Sequence, residues 1–364
     1  MSDQVTKTML DAYFSDASPS LFFSSLFQTP TQNFFQSEQV EMDVVRTDED
    51  VAIAIKDIAQ GYRANSKDIY TNKMFKPPVY KESFPISSAE LLKRAPGQNP
   101  FESIEFRATL SSMIFSGMRD IERKIRRAVE LQCAQVLQTG MVTLKDDAGS
   151  DLFTIDYKPK ASHFPTASTS WGDASDDPLG DLASLLEGIR NDGLEDVDVA
   201  IFGADAWQAF LSNDEVKSRL DSRRGELGRV APKLRDANGA IYQGSVDVGN
   251  YKLDCYTYLG RYKDPASGAK VQYMDPAKVV LMSSGARLDL CFGACPSVGE
   301  LLGQGTSRLL PELPSRMSNE YGGVDLYPSA WLSEDSDTLF GGVKCRPIAI
   351  PTAIDTFGCL DTGA

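Results

Sequence analysis

The chain has 364 residues and a formal charge of −14, from 51 acidic against 37 basic side chains, with a pI near 4.7. That sign excludes a protein whose main business is gripping phosphate backbones, and 42% hydrophobic with 24% charged residues excludes wholesale disorder, collagen and a coiled-coil rod. A single histidine, His163, removes most proton-shuttle and imidazole–metal chemistry.

The length accommodates about two domains of roughly 150 residues, or one large irregular one. Nowhere do about 18 apolar residues run together, so no membrane-spanning helix is predicted. Residues 1–11 are polar and acidic, unlike an export signal. Six cysteines (Cys133, Cys255, Cys291, Cys295, Cys345 and Cys359) are too few for a disulfide framework here. The reading is a protein of a reducing cytoplasm with free, mostly buried thiols.

The first fifty residues have no clean helical or strand period. Phe22, Phe23, Phe27, Phe34 and Phe35 are spaced by polar residues, with Pro19 and Pro30 as punctuation. An irregular arm cannot bury so many rings on itself. They clamp either onto the chain's own body or onto a neighbouring subunit, and the second is the leading expectation. Residues 51–90 read as β: Val51, Ile53 and Ile55 alternate with Ala52, Ala54 and Lys56, and an extended stretch runs from Met74 to Ile86. Pro77, Pro78 and Pro85 forbid a helix or a central strand there. A long two-stranded ribbon is predicted, one that needs another surface to lie on.

A helix is predicted over about 100–138. The segment has no interior proline, and Ile104, Leu110, Ile114, Met118, Ile121, Ile125, Val129, Cys133 and Val136 recur in steps that mark one face. Arg119, Glu122, Arg123, Arg126, Arg127 and Glu130 form the opposite, solvated face, and Gly140 closes the helix. At 1.5 Å per residue it spans about 50 Å, several times the usual length.

Leu152–Tyr157 reads as a strand and 162–169 as a loop. Residues 171–198 are strongly acidic and contain a helix at Pro178–Asn191, capped by Gly193. Val197–Phe202 reads as a buried strand and Ala204–Ser212 as a short helix. The charge then reverses through Lys217, Arg219, Arg223, Arg224, Arg229, Lys233 and Arg235. Ile241–Tyr258 alternates, Val279–Met282 is a short apolar strand, and irregular chain is expected to continue to Tyr327. Ile348–Ile350 closes the order as a strand bounded by prolines. The succession fits α+β rather than a doubly wound sheet.

Chemistry finds little support. Gly303–Gly305 and Gly341-Gly342 lack the Lys-Ser/Thr of a phosphate-binding loop and read as turns. Cys291 and Cys295 do not form a C-x-x-C, so no zinc site is expected. His163 has no G-x-S-x-G or H-E-x-x-H beside it and reads as a loop or core residue. Pairs such as Asp146-Asp147 and Asp176-Asp177 are expected by chance among so many acids. No catalytic residue, metal or cofactor is predicted, although a carboxylate-dependent hydrolase remains as a rival. The acidic and basic middle segments can meet between copies of the chain in a head-to-tail ring.

Several stretches resemble the major capsid protein of lambda-like tailed phages. Phe75-Lys76-Pro77-Pro78-Val79-Tyr80-Lys81-Glu82, with Leu91-Leu92-Lys93-Arg94-Ala95-Pro96-Gly97, is similar to that family's extended loop. Glu215-Val216-Lys217 with Leu220-Asp221-Ser222-Arg223-Arg224-Gly225 is similar to its axial helix and basic turn. Arg346-Pro347-Ile348-Ala349-Ile350-Pro351 is similar to its returning strand. Each motif is short, and the collinear order carries the resemblance.

The resemblance implies an α+β tailed-phage major capsid fold. Its parts would be an N-terminal arm (1–48), an extended β-ribbon loop (49–100), a peripheral domain with a long spine helix (101–171), an axial domain (172–300) and a return to the peripheral domain (301–364). It also implies self-assembly through hexamers and pentamers into an icosahedral head around double-stranded DNA, contacted non-specifically and without a membrane. The virion would be its place, reached by assembly in the bacterial cytoplasm. A separate scaffolding protein, a portal protein and an optional small decoration protein are the implied partners. Phe22, Phe23, Phe27, Phe34, Phe35, Lys76, Lys81, Arg223 and Arg224 are the candidate subunit-interface residues. The family's Lys–Asn cross-link has no identifiable pair here. A bacterial encapsulating compartment of the same fold is the related alternative.

Overall fold

The computed structural model describes residues 21–35, 37–45, 70–87, 106–145, 149–173, 175–219, 239–295, 325–333 and 338–364. A short helix α1 (Phe22–Leu26) precedes the antiparallel pair β1 (Val40–Val45) and β2 (Tyr70–Phe75). Strand β3 (Tyr80–Ser87) follows, then the long helix α2 (Phe106–Thr139). A hairpin of β4 (Met141–Lys145) and β5 (Asp151–Asp156) comes next. The middle of the chain holds α3 (Pro178–Gly193), β6 (Val199–Phe202), α4 (Ala204–Ser212) and α5 (Asp214–Arg219). The remaining strands are β7 (Ile241–Val248), β8 (Tyr251–Thr257), β9 (Arg261–Lys263), β10 (Lys270–Gln272), β11 (Lys278–Met282), β12 (Leu288–Phe292), β13 (Tyr327–Ser333), β14 (Thr338–Cys345), β15 (Pro347–Pro351) and β16 (Phe357–Asp361). The architecture is α+β.

Helix α2 has 34 residues and carries the expected apolar stripe, with Ile114, Met118, Ile121, Ile125, Val129, Cys133 and Val136 all buried. Its polar side departs from expectation. Glu122 and Glu130 are buried rather than solvated. Arg126 places Nη2 2.7 Å from the fully buried Asp325 and 3.8 Å from Glu122. Burial alone would lower the Arg126 pKa, but the Asp325 carboxylate more than offsets it and the net direction is up. Of the six residues expected on that face, Arg123 and Arg127 are exposed, and Arg119 and Arg126 are half-buried.

A five-stranded sheet in the order β16-β11-β6-β8-β7 divides the interior. Its side chains alternate between two apolar clusters, as strand pleating requires. Ile201, Val280, Met282, Phe357 and Cys359 join the cluster that contains α2. Ala200, Phe202, Val279, Leu281 and Leu360 join the one built on α3 and α4. Val279–Met282 reads as an unbroken apolar run because both faces of its strand are covered.

Several expectations need correction. Strand β3 does not stay in an isolated ribbon: it pairs antiparallel with β14 at the edge of a three-stranded sheet, β13-β14-β3, against α2. Pro85 is tolerated because that strand is an edge. The two-stranded ribbon is instead β1–β2, and Val51–Lys56 lies outside the described residues. Gly341 and Gly342 are strand residues of β14, not a turn; the other glycine pair, Gly303–Gly305, lies outside the described residues. The expected irregular run before Tyr327 contains β12, paired with β15.

Helix α3 is capped by Asp177, whose carboxylate accepts the Gly180 N–H at 2.8 Å, with Pro178 at its first turn. Its left-handed terminal residue is Leu194 (φ 54°), not Gly193. Gly193 is needed for another reason: a Cβ there would lie 2.4 Å from the Asp355 carbonyl oxygen. His163 is a fully buried core residue, with Nδ1 3.1 Å from the Phe357 carbonyl and Nε2 2.9 Å from Asp192 Oδ2.

Candidate assembly surface

The arm is the best-defined of the candidate regions. Phe22, Phe23, Phe27 and Phe34 are all buried within this chain, and Phe35 packs partly buried against the same cluster. Of the two burials that the sequence leaves open, the chain's own body is the one seen. Phe22 and Phe23 each sit 5.3 Å from the Tyr258 ring, and Phe34 stacks on Phe292 at 5.1 Å.

Backbone bonds fix the arm further along. Gln28 donates its N–H to the Leu288 carbonyl at 2.8 Å, Leu290 N–H returns to Gln28 O at 2.9 Å, and Phe35 N–H reaches Phe292 O at 2.9 Å. Asn33 Nδ2 donates to Asp289 Oδ1 at 3.0 Å, and Glu38 pairs with Arg346 at 3.4 Å. The arm thus extends β12 along its free edge, which satisfies strand groups that would otherwise be left open.

Glu130 is the residue that sequence reasoning missed. Its two carboxylate oxygens accept the backbone N–H groups of Phe23 (2.8 Å) and Ser24 (2.7 Å). Burial pushes its pKa up, against a downward pull from the Ser24 and Phe23 amides and the Tyr258 hydroxyl. A signal was present in the spacing. Glu122, Arg126, Glu130, Ala134 and Gln138 form an i, i+4 row whose last members are buried, but its acid-base-acid start imitates a surface ion-pair ladder.

Lys76 and Lys81 are both exposed. Lys81 lies directly opposite Lys344 in the β3–β14 ladder, an arrangement of like charges that disfavours the pair by itself. Arg223 and Arg224 lie outside the described residues. The acidic segment is only partly available. Asp176, Asp177, Asp181, Asp192 and Asp198 accept bonds within the chain, from Gly172, Gly180, Trp171, His163 and Ser284. Asp173, Glu187 and Asp196 are exposed, Asp196 beside Arg190 at 2.9 Å.

No group of three His, Cys, Asp or Glu side chains suited to a metal occurs among the described residues. All six thiols are unpaired and buried. Burial raises the pKa of each, to about 12 for Cys255 and Cys359, which holds them as inert thiols.

The long helix is thus the common platform for the clamped arm and for the extended β3 segment. A sequence profile of the phage major capsid protein E family matches residues 10–357. Over 259 residues the chain is 24% identical to the major capsid protein of Escherichia phage lambda, covering 70% of this chain and 72% of that protein. Over 254 residues it is 22% identical to the major capsid protein of Escherichia phage N15, with 70% and 72% coverage. Its fold is similar to that of an E. coli CFT073 prophage protein assigned as its capsid protein, with a TM-score of 0.63 at 18% identity over 97% and 98% of the two chains. The chain belongs to the phage major capsid protein E family and is a major capsid protein of a tailed phage. Neither the encapsulating compartment nor the hydrolase is favoured by these relationships.

Proposed function

We propose that this chain assembles through hexamers and pentamers into an icosahedral head that encloses double-stranded DNA, and that it does so without catalysis. The observation that carries this reading is the β1–β2 pair, a two-stranded ribbon belonging to no larger sheet. Such a ribbon is marginal on its own and gains stability by lying on a neighbour. Exposed Met74 and Val79 continue the same extended region. The net charge of −14 suits a container, because repulsion leaves packaged DNA mobile.

The division into arm (1–48), extended loop (49–100), peripheral domain (101–171 with 301–364) and axial domain (172–300) belongs to this proposal. So do the remaining partners: a separate scaffolding protein, a portal and a small decoration protein. Lys76 and Lys81 are proposed to meet acids of a neighbour, which would relieve the Lys81–Lys344 opposition. Arg223 and Arg224 are proposed to face Asp173, Glu187 or Asp196 of the adjacent subunit.

Electron microscopy of the expressed chain with its scaffolding partner tests this reading. Closed particles or hexameric capsomers are expected. A monodisperse monomer at high concentration with the scaffold present would overturn it.

A further inference from the structure

Helix α1 has no cap of its own. Leu21 occupies its N-cap position and offers no acceptor to the first amides, where Ser, Thr, Asp or Asn would ordinarily supply one. Glu130, 107 positions away on α2, takes that place by accepting the Phe23 and Ser24 N–H groups with one oxygen each. The carboxylate is fully buried among Phe22, Phe23 and Tyr258. An apolar side chain would fill such a position without the desolvation that a charge suffers.

The phenylalanines alone do not explain where the arm sits. Ring burial is non-directional, and a long helix offers similar apolar surface one turn up or down. The β12 bonds at Gln28 and Phe35 fix the arm further along, whereas at its first turn the two convergent hydrogen bonds that Glu130 accepts are the directional contacts, and they set the register of α1 on α2. We propose that Glu130 is a positioning residue that fixes the arm on its own subunit in one register along α2, so that every copy presents the same arm geometry during assembly. This goes beyond the shell reading, and its geometry lies wholly within one chain.

Amide hydrogen exchange on the full-length chain tests it, comparing wild type with E130Q, E130D, E130A and the double variant E130A/L21D. In E130Q and E130A the Phe23, Ser24 and Ser25 amides are expected to exchange at least about ten-fold faster, while β6, β8 and β11 keep their protection. E130D keeps the charge but shortens its reach, and is expected to restore at most one amide. Asp at position 21 supplies a local cap without a link to α2, so the arm amides should stay fast in the double variant. Full recovery there would reduce Glu130 to a helix cap and overturn the proposal, as would unchanged exchange in both E130Q and E130A. If E130A loses sheet protection as well, E130Q and E130D carry the comparison. Failure of the wild type to form shells would sink the shell reading and leave the exchange result standing.

Discussion

The Phe84 ring occupies the space that a side chain on Gly117 would need: a Cβ built at Gly117 would lie 2.5 Å from it. The same ring also stands against Gly341 of β14, where a Cβ would meet it at 2.4 Å. Phe84 is therefore the peg that holds β3 between α2 and its partner strand. Gly117→Val or Gly341→Val should overpack this site and cost about 1–3 kcal/mol, read as a lowered thermal midpoint. With Phe84→Ala in the background, most of that penalty should disappear. A penalty of the same size in that background would refute the peg.

Arg126 and Asp325 form a buried ion pair between α2 and the segment leading into β13. Asp325→Ala leaves the guanidinium without its main counter-charge. With the Arg126 side chain still 23% exposed, the cost should fall at the lower end of the ~3–5 kcal/mol typical of broken buried pairs. Replacing both, as Arg126→Met with Asp325→Leu, should recover most of the loss in denaturant titration. Additive losses would show that the two residues do not act as a pair.

Asp192 gives a pH dependence of known sign. Lys160 Nζ lies 2.7 Å from Oδ1, and this bond, with His163 on the other oxygen, holds its pKa below the ordinary carboxylate value. A lowered folded value stabilises the chain above the unfolded carboxylate pKa of about 3.9 and is lost as pH falls through the lower folded value. Asp192→Asn should therefore be less stable than wild type near pH 6, by on the order of 1 kcal/mol. The gap should close as acid is added below about pH 4. A gap that stays constant down to pH 2 would assign the effect to packing.

Charge reversal at Arg223 and Arg224 together should block capsomer formation while leaving the isolated fold intact. The compensating reversal of Asp173 and Glu187 should restore part of the assembly. One exposed pair contributes only ~0–1 kcal/mol, but a closed ring repeats it at every contact. Sedimentation of the variants separates assembled from unassembled chain, and normal capsomers in the Arg223/Arg224 variant would remove these residues from the interface.

The long helix and the strand at Val279–Met282 were legible in the sequence because period and burial agree there. Ala204–Ser212 was legible for the same reason, down to its ends. The environment of Glu130, Arg126 and Glu122 was not, because a buried polar row and a solvated one share the same i, i+4 spacing. Tertiary partners at Asp325 and Ser24, far away in sequence, decide between them. Strand β12 was hidden in a Gly- and Pro-bearing stretch, since its pairing with β15 is non-local. The arm's phenylalanines signalled that they need burial, but not against which copy of the chain. Identical subunits offer identical surfaces, so composition cannot distinguish the two.

The arm's anchors all come from chain made much later than the arm itself. Phe23 waits for Glu130, and Asn33 for Asp289, 256 positions downstream. Strand β16, which closes one edge of the five-stranded sheet, is translated later still. A ribosome therefore emits a greasy leading segment long before its receptor groove exists, and contacts this distant in sequence form slowly. Where many copies are made at once, that interval is when two nascent chains are most exposed to each other.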